Sequence, residues 1–184
     1  LINPRDFKAF EISQKTFSDD VIEDLQAENA LVTEYSKFMG ELAFEFDGEK
    51  MPLSVLRGKL EDDDREVRRR AAEAIGKTLG ENSDTLDSIF DRLVKIRTTV
   101  ARKLGFDNFV ELGYCRMGRV DYDSAMVAEF RRSVEQDIVP AVAAMKEDIR
   151  RRMGFDRIMY YDDAVSVSGE MPRPVIDENE ISVS

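Results

Sequence analysis

The stretch Gly105–Ser124, GFDNFVELGYCRMGRVDYDS, decides how this chain turns between its two longest helical patterns. Gly105 follows Arg102-Lys103, and a glycine behind a basic helix end is typical of a left-handed helix stop. Asn108 can cap a short helix that begins beside it, and Asp123 can cap the long helix that follows. We therefore predict a corner built from one helix end, one short helix and one new helix start.

Two arginines, Arg116 and Arg119, lie on the turn of this corner and have acids close by in sequence. One interpretation pairs them with Glu111, Asp121 or Asp123, because guanidinium groups form forked hydrogen bonds with carboxylates and can fix the angle between helices. The other interpretation turns one guanidinium toward a cleft, where it meets a peptide or carboxylate ligand. The spacing of the residues leaves both interpretations open.

Apolar residues recur at intervals of three and four along much of the chain, which predicts long amphipathic helices. We expect these helices over residues 19–40, 62–80, 84–104 and 124–153, with glycines at 40, 80 and 154 marking three of the ends. Pro140 removes one backbone donor inside the last helix, so we expect a bend there. Residues 1–17 have no clear period.

The hydrophobic period changes from 3.6 to 2 over residues 42–51, and Asp47-Gly48 is a strong signal for a two-residue hairpin turn. A lone two-stranded pair is marginally stable, so this hairpin must lie on a helix or on another sheet. The predicted fold class is therefore all-α, with long crossing helices and one small β-hairpin.

The domain organisation that we expect is one helical lobe over residues 1–163, followed by an extended tail or linker over 164–184. The tail contains Pro172 and Pro174, which favour extended backbone before them. The chain starts at Leu1 rather than at Met and finishes in an acidic stretch. From these features we expect both ends to be cut from something longer, with the tail leading into a missing lobe.

Charge and composition limit the partners of the chain. Its 27 Lys and Arg against 38 Asp and Glu give a net charge of −11, which disfavours binding to nucleic acid or anionic membranes. The clusters Arg68–Arg70 and Arg150–Arg152 are mixed with acids and are interpreted as solvated faces or helix ends. With no signal peptide and no apolar run near the roughly 20 residues of a membrane helix, we expect a cytoplasmic protein.

The chain has no histidine and a single cysteine, Cys115. This composition excludes a Ser–His or Cys–His couple and a histidine-ligated zinc site. Cys115 has no histidine base near it, so we interpret it as a packed or half-exposed thiol. A bundle that binds metal through carboxylates alone is a further alternative, but the pattern of Asp and Glu is typical of a solvated surface.

Six segments between residues 42 and 163 are informative as an ordered set: FEFDGE at 44–49, DDREVR at 63–68, KLGFDNFVELGY at 103–114, RMGRVDYD at 116–123, DIVP at 137–140 and YYD at 160–162. Taken together, they resemble the oligoendopeptidase F branch of the M3 family of zinc metallopeptidases. The resemblance implies an almost wholly helical, two-lobed protease that cleaves short peptides in a deep cleft. It further implies a zinc ion held by a His-Glu-x-x-His helix and a further Glu, in a segment C-terminal to the six.

This sequence does not contain that zinc motif, so no catalytic or metal-binding role is carried over to any of its positions. The resemblance implies a longer zinc metalloendopeptidase whose partners are short peptide substrates and the remaining C-terminal catalytic lobe. This chain is expected to bind no zinc, to be inactive alone, and to form helical scaffold and one wall of the cleft. The candidate wall residues are Tyr114, Arg116, Arg119 and Tyr122, together with Tyr160 and Tyr161, which lead toward a cleft-facing strand.

Two alternatives stand beside that interpretation. The tyrosines can simply be packed at the corner or in the core, where a buried tyrosine usually finds a hydrogen-bond partner. The whole chain can also be a non-enzymatic helical module that binds a protein partner, since a helical fold does not by itself imply a function. An exposed apolar patch on helix 84–104 or 124–153 would favour the module.

Overall fold

The structure, a computed structural model, describes residues 3–164. Its α-helices are α1 Pro4–Gln14, α2 Ile22–Glu41, α3 Leu53–Gly58, α4 Arg65–Glu81, α5 Ser83–Lys103, α6 Phe109–Arg116, α7 Ser124–Ser133 and α8 Val139–Arg152. Two strands, β1 Phe44–Phe46 and β2 Glu49–Met51, form a hairpin, and short 3-10 turns lie at Asp19–Val21, Lys59–Glu61 and Tyr160–Asp162. The predicted all-α fold with one small hairpin is confirmed. The predicted tail lies, apart from Ala164, outside the described residues.

The hairpin has the turn that the sequence predicts. Asp47 and Gly48 both have positive φ angles, 51° and 82°, as the two central residues of a type I′ turn require. Phe44 pairs with Met51 across the ladder, and alternate side chains of β1 are buried. The hairpin therefore needs an apolar partner surface, and a helix supplies it.

The buried apolar residues form two clusters. One holds the hairpin against α3 and α4 and is built on the four side chains Phe44, Phe46, Leu56 and Ala71. The other joins the start of α2, the end of α5 and α6, and is built on Val21, Val100, Ala101 and Leu112. The first cluster anchors the hairpin on α3 and α4, and the second anchors the corner that follows α5.

The corner is built by the predicted local signals. Gly105, at φ 86°, ends α5 in a paired C-terminal motif: Phe106 N–H donates to Ala101 O at 2.9 Å and Gly105 N–H to Arg102 O at 3.1 Å. Asn108 Oδ1 accepts from Val110 N–H at 2.8 Å and so caps α6. The predicted caps and stop of this corner are confirmed.

A helical arm, defined here as residues 124–152, follows the corner. It begins at Asp123, whose Oδ1 accepts from Met126 N–H at 2.9 Å, and it consists of α7, a π turn at Val134–Ile138, and α8. Pro140 lies in the first turn of α8, where a missing N–H is tolerated. The π turn lies just before Pro140, because the proline ring conflicts with a regular α turn on its N-terminal side. The bend at Pro140 stays a prediction.

The N-terminal segment is helical, although its sequence has no clear period. Residues 4–14 form α1, started by Asn3 Oδ1 accepting from Arg5 N–H at 3.0 Å and by Pro4 in the first turn. α2 ends at Glu41 and α4 at Glu81, each one residue past the glycine that the sequence predicted as its end. Neither Gly40 nor Gly80 has the positive φ of a left-handed helix stop.

No helix among residues 3–164 is long and apolar enough to cross a membrane.

Candidate functional site

Glu28 of α2 is the centre of a buried ion-pair cluster beneath the corner. Its carboxylate is 3% exposed and accepts from Arg97 Nε and Arg116 Nη1, each at 2.8 Å. The Phe109 ring lies 5.3 Å from the Arg97 guanidinium and 5.6 Å from that of Arg116. Arg116 thus pairs with an acid 88 residues away, and its predicted pairing with Glu111, Asp121 or Asp123 is wrong.

The electrostatics of this cluster favour the ionised carboxylate. Burial opposes ionisation of Glu28, but hydrogen bonds from Arg116 and Arg97 outweigh it and hold the pKa of that carboxyl below its usual value. Removing either arginine would lower the stability of the fold, because it would leave part of the buried Glu28 charge without a partner. The cluster therefore ties α2, α5 and α6 together and fixes the direction in which α6 delivers the chain to the turn.

Arg119, the second arginine of the corner, is held by aromatic rings. Its guanidinium carbon lies 4.4 Å from the centre of the Tyr114 ring and 5.4 Å from that of Tyr122, and the two rings meet edge to face at 6.5 Å. Gly118, at φ 64°, ends α6, and Arg119 N–H donates to Tyr114 O at 3.1 Å. The backbone of this turn therefore aims Arg119 between the two tyrosines.

The predicted pairing of Arg119 is also wrong. Asp121 forms an ion pair with Arg5 of α1 at 2.7 Å, and Asp123 is occupied in capping α7. Among residues 3–164, Arg119 has no carboxylate within ion-pair distance. Its guanidinium is thus fixed in place without being neutralised.

Asp162 is the centre of a second buried cluster, beyond the end of the arm. Its carboxylate accepts from Arg65 Nη2 at 2.8 Å, from Arg68 Nη2 at 3.0 Å and from Met159 N–H at 2.9 Å. Arg68 is 2% exposed, so its interpretation as part of a solvated face is wrong. The acids Glu28 and Asp162 likewise contradict the expectation that the carboxylates all lie at the surface.

This cluster anchors the turn that contains Tyr160 and Tyr161. Arg68 also donates to Tyr161 O at 3.1 Å, and the Arg65 guanidinium lies 5.6 Å from the Tyr161 ring. Burial opposes ionisation of Asp162, but the hydrogen bonds from Arg65, Met159 N–H and Arg68 lower its pKa below the usual value. Tyr160 is 65% exposed, whereas Tyr161 is half-buried against α4.

The six predicted wall residues do not gather at one place. Tyr114, Arg116, Arg119 and Tyr122 lie at the start of the arm, and Tyr160 and Tyr161 lie beyond its end. The arm contributes roughly 40 Å of helical rise between the two groups, at 1.5 Å per residue. The structure thus gives two separate candidate surfaces, and Arg116 is mainly engaged with Glu28 beneath the first.

The sequence patterns did not reveal the two buried acids or three of the arginines that bind them, Arg65, Arg68 and Arg97. A signal exists for Glu28, since it occupies a place on the apolar stripe of α2, three residues after Leu25 and four before Val32. A charge at such a place indicates a buried partner. Asp162 has no such signal, because it lies in a short turn without a period.

The family of this chain follows from its similarity to known proteins. The sequence profile of peptidase family M3 matches residues 59–179. The chain belongs to peptidase family M3. No curated protein gives a significant match.

Solved structures of other proteins share this fold. The chain is 45% identical to "PZ peptidase A with inhibitor 2", with a TM-score of 0.87 over 96% of this chain and 32% of that one. It is 41% identical to a protein described as an oligoendopeptidase F, with a TM-score of 0.88 over 96% of this chain and 31% of that one. A third, described as an oligoendopeptidase F from Bacillus anthracis str. Ames, is 40% identical, with a TM-score of 0.85, 96% and 32% covered. The chain spans about one third of the length of these proteins.

The described part of this M3 chain does not fit a metal ion. Residues 3–164 hold no group of three or more His, Cys, Asp or Glu side chains placed to bind one. The two buried carboxylates, Glu28 and Asp162, are each saturated by two guanidinium groups. A cation beside either would have to displace an arginine, so the chemistry of these sites is that of structural ion pairs.

Proposed function

We propose that this chain is part of a zinc-dependent metalloendopeptidase that cleaves short peptides, in which it forms helical scaffold and one wall of the substrate cleft. The observation that carries the proposal is the 45% identity over 96% of this chain with PZ peptidase A, a protein solved with an inhibitor. The other two similar proteins are described as oligoendopeptidases. A polypeptide of this identity and fold, within the same family, is expected to serve the same kind of reaction.

The zinc and its ligands belong, in this proposal, to the part of the protease that follows the chain. A zinc site of the His-Glu-x-x-His type needs two histidines, and this sequence has none. Zinc there supplies a Lewis acid and an activated water. This chain is proposed to support the substrate cleft and to form one of its walls, and we expect it to have no hydrolytic activity alone. A cytoplasmic location remains a prediction from the sequence.

The proposed wall begins at the corner. Tyr114, Arg119 and Tyr122 present partly exposed rings and one guanidinium, which are groups that bind peptides through stacking and hydrogen bonds. Arg116 supports them from below through Glu28. At the far end of the arm, Tyr160 is the exposed member of its pair, and Tyr161 holds the turn on α4.

The arm carries an unusually apolar exposed face. None of its residues is buried, and large apolar side chains recur on it at helical spacing: Met126, Phe130, Ile138, Val142 and Met145, each at least 41% exposed. A helix with such a face gains most of its stability from packing against a partner. We propose that the remaining lobe of the protease covers this face.

The same exposed face is what favours the second candidate, a non-enzymatic helical module that binds a separate protein. α5 has exposed apolar side chains of its own, Phe90 and Val94, and Phe90 lines a groove of about 540 Å³ together with Tyr35, Met39 and Leu53 among others. The two candidates differ in what covers the arm. The remaining lobe of an M3 protein is the occupant that family membership favours.

The proposal is tested by extending the reading frame of the gene past the codon for Ser184 and measuring bound zinc in the product. We expect a His-Glu-x-x-His helix in the added segment and zinc bound in a one-to-one ratio, measured by atomic absorption. Alanine at either histidine should remove the zinc and leave this chain's portion folded. A folded product without the motif and without zinc would overturn the proposal and leave the module as the better account.

A further inference from the structure

Arg119 differs from the arginines of the two buried clusters, because its guanidinium is held by two rings and has no carboxylate partner among residues 3–164. Among residues 3–164, the structure has no hydrogen bond from the Arg119 guanidinium or from the hydroxyls of Tyr114 and Tyr122 to any other group. The guanidinium is half-buried between the two rings. In this respect it differs from Arg65, Arg68, Arg97 and Arg116, which each bind a carboxylate.

The local acids cannot serve as the missing partner. Asp121 is drawn toward α1 by Arg5 at 2.7 Å, and Asp123 has its Oδ1 committed to the start of α7 at 2.9 Å. Glu111 lies in the first turn of α6, on the other side of Tyr114 in sequence. Asp121 and Asp123 are thus engaged elsewhere, and Glu111 forms no ion pair with Arg119.

The arrangement suits an external carboxylate. Cation–π attraction to the Tyr114 and Tyr122 rings holds the Arg119 guanidinium but gives its N–H groups no oxygen acceptor. Two parallel N–H groups match the two oxygens of a carboxylate, and phenolic hydroxyls nearby can donate further hydrogen bonds. Because the rings already hold Arg119, little side-chain freedom is lost when a carboxylate binds.

We propose that Arg119, Tyr114 and Tyr122 form a carboxylate-binding site, and that its ligand is the free C-terminal carboxylate of a peptide. The identification of the ligand as a peptide terminus rests on the proposed function. The same chemistry is offered by an Asp or Glu side chain of the remaining lobe. These two sources of one carboxylate are separated by the experiments below.

The first experiment measures binding to the 184-residue chain itself by isothermal titration calorimetry. The probes are an N-acetylated hexapeptide with a free C-terminal carboxylate and the same hexapeptide as its C-terminal amide. We expect the free acid to bind roughly tenfold more tightly than the amide, as a forked charged hydrogen bond implies. Arg119→Met should remove the preference, and Arg119→Lys should keep part of it, because a lysine retains the charge but not the fork.

The matched control is Arg102→Met, which removes an exposed arginine from the end of α5, away from the two rings. It should leave the preference for the free acid unchanged. Thermal unfolding followed by circular dichroism checks that each variant is folded. If Arg119→Met does not fold, Tyr122→Leu replaces it, since this change removes one ring and its hydroxyl from an exposed position and should reduce the preference.

The second experiment uses the longer protein and distinguishes the two sources of the carboxylate. If the ligand is a peptide terminus, Arg119→Met lowers kcat/KM for the free-acid peptide roughly tenfold and leaves kcat/KM for the amide unchanged. If the ligand is a side chain of the remaining lobe, Arg119→Met lowers the melting temperature of the longer protein but not of this chain, with no difference between acid and amide.

The inference is overturned if Arg119→Met changes neither the preference for the free acid nor the melting temperature of the longer protein. Failure of the proposed function gives a different result. A longer protein that hydrolyses no peptide, combined with Arg119-dependent binding of the free acid by this chain, would remove the peptidase and retain the carboxylate site.

Discussion

The Arg68 guanidinium and the Asp162 carboxylate lie 3.0 Å apart, with side chains only 2% and 0% exposed, although 94 residues separate them in the chain. Arg65 binds the other oxygen of the same carboxylate at 2.8 Å. This cluster joins the turn after the arm to the start of α4. It therefore holds the Tyr160–Asp162 turn against α4.

Asp162→Asn should be strongly destabilising. The amide keeps the shape of the carboxylate but leaves two guanidinium groups, one of them buried, without a counter-charge, which costs about 3–5 kcal/mol of unfolding free energy. Urea unfolding of this chain measures the loss. Asp163→Asn is the control: this neighbour forms an exposed pair with Lys146, so its loss should cost less than about 1 kcal/mol. Equal effects of the two changes would contradict the role assigned to Asp162.

Stability should fall in acid, and Glu28→Gln should weaken that fall. The pKa of Glu28 is lower in the fold than its ordinary 4.5, so the unfolded chain binds the proton more readily. Its contribution is therefore complete above about pH 5 and is lost as the pH falls below 4.5 through the lowered pKa. Urea unfolding between about pH 3 and pH 7 measures the slope of stability against pH.

The Glu28→Gln variant is expected to be less stable than the natural chain at neutral pH and to lose less stability between about pH 5 and pH 3. Glu111→Gln, an exposed change on α6, should leave both the stability and the slope nearly unchanged. An acid slope that is identical with and without the Glu28 carboxylate would show that the two arginines do not stabilise its charge.

Local signals in the sequence predicted much of this fold, whereas the sequence did not predict which polar side chains distant in the chain bind each other. Asp47-Gly48, Gly105, Asn108 and Asp123 act on neighbouring backbone groups, so their roles follow from residue type and position. The partner of Arg116 could not be predicted in this way. Three acids lie close to Arg116 in sequence, but the acid that binds it, Glu28, is 88 residues away and is brought near only by folding. Spacing between residues contains no information on which acid is buried.

The missed helix and the π turn have different causes. α1 has a cap, Asn3-Pro4, but its Phe7 and Phe10 are more than half exposed, so its apolar residues do not mark one buried face. At Pro140 the sequence predicted a missing backbone donor and a bend, but not the π turn that precedes the proline. For the candidate site, residue types predicted which side chains are notable, and the predicted helix over 124–153 already separates them into two groups. What the sequence did not predict is that Arg116 binds Glu28 and that Arg119 lies between two tyrosine rings.

Gly105→Ala should destabilise the corner, and Gly76→Ala should do the opposite to α4. Gly105 has a φ of 86°, which costs a side-chain-bearing residue about 1 kcal/mol or more. Gly76 lies inside α4 with no atom within 4 Å of an added Cβ, so alanine there should stabilise by about 0.5–1 kcal/mol. Thermal unfolding of both variants tests the pair. A stabilising effect of Gly105→Ala would exclude the left-handed helix end described here.

The arm should be the less stable part of this chain in hydrogen exchange. Its residues are all at least partly exposed, whereas α5 contributes three buried residues, Ile89, Val100 and Ala101. Amides of α7 and α8 should therefore exchange at a lower opening free energy than those of α5. In the longer protein the same amides should become protected if, as proposed, the remaining lobe covers the apolar face. Exchange that is unchanged there would favour the separate-partner module.

Hydrolysis of an internally quenched oligopeptide, compared between the longer protein and this 184-residue chain, tests the central claim most directly. We expect the longer protein to cleave the peptide, a chelator to abolish cleavage and added zinc to restore it, while this chain alone remains inactive. Cleavage by this chain, or no cleavage by a folded and zinc-loaded longer protein, would contradict the account.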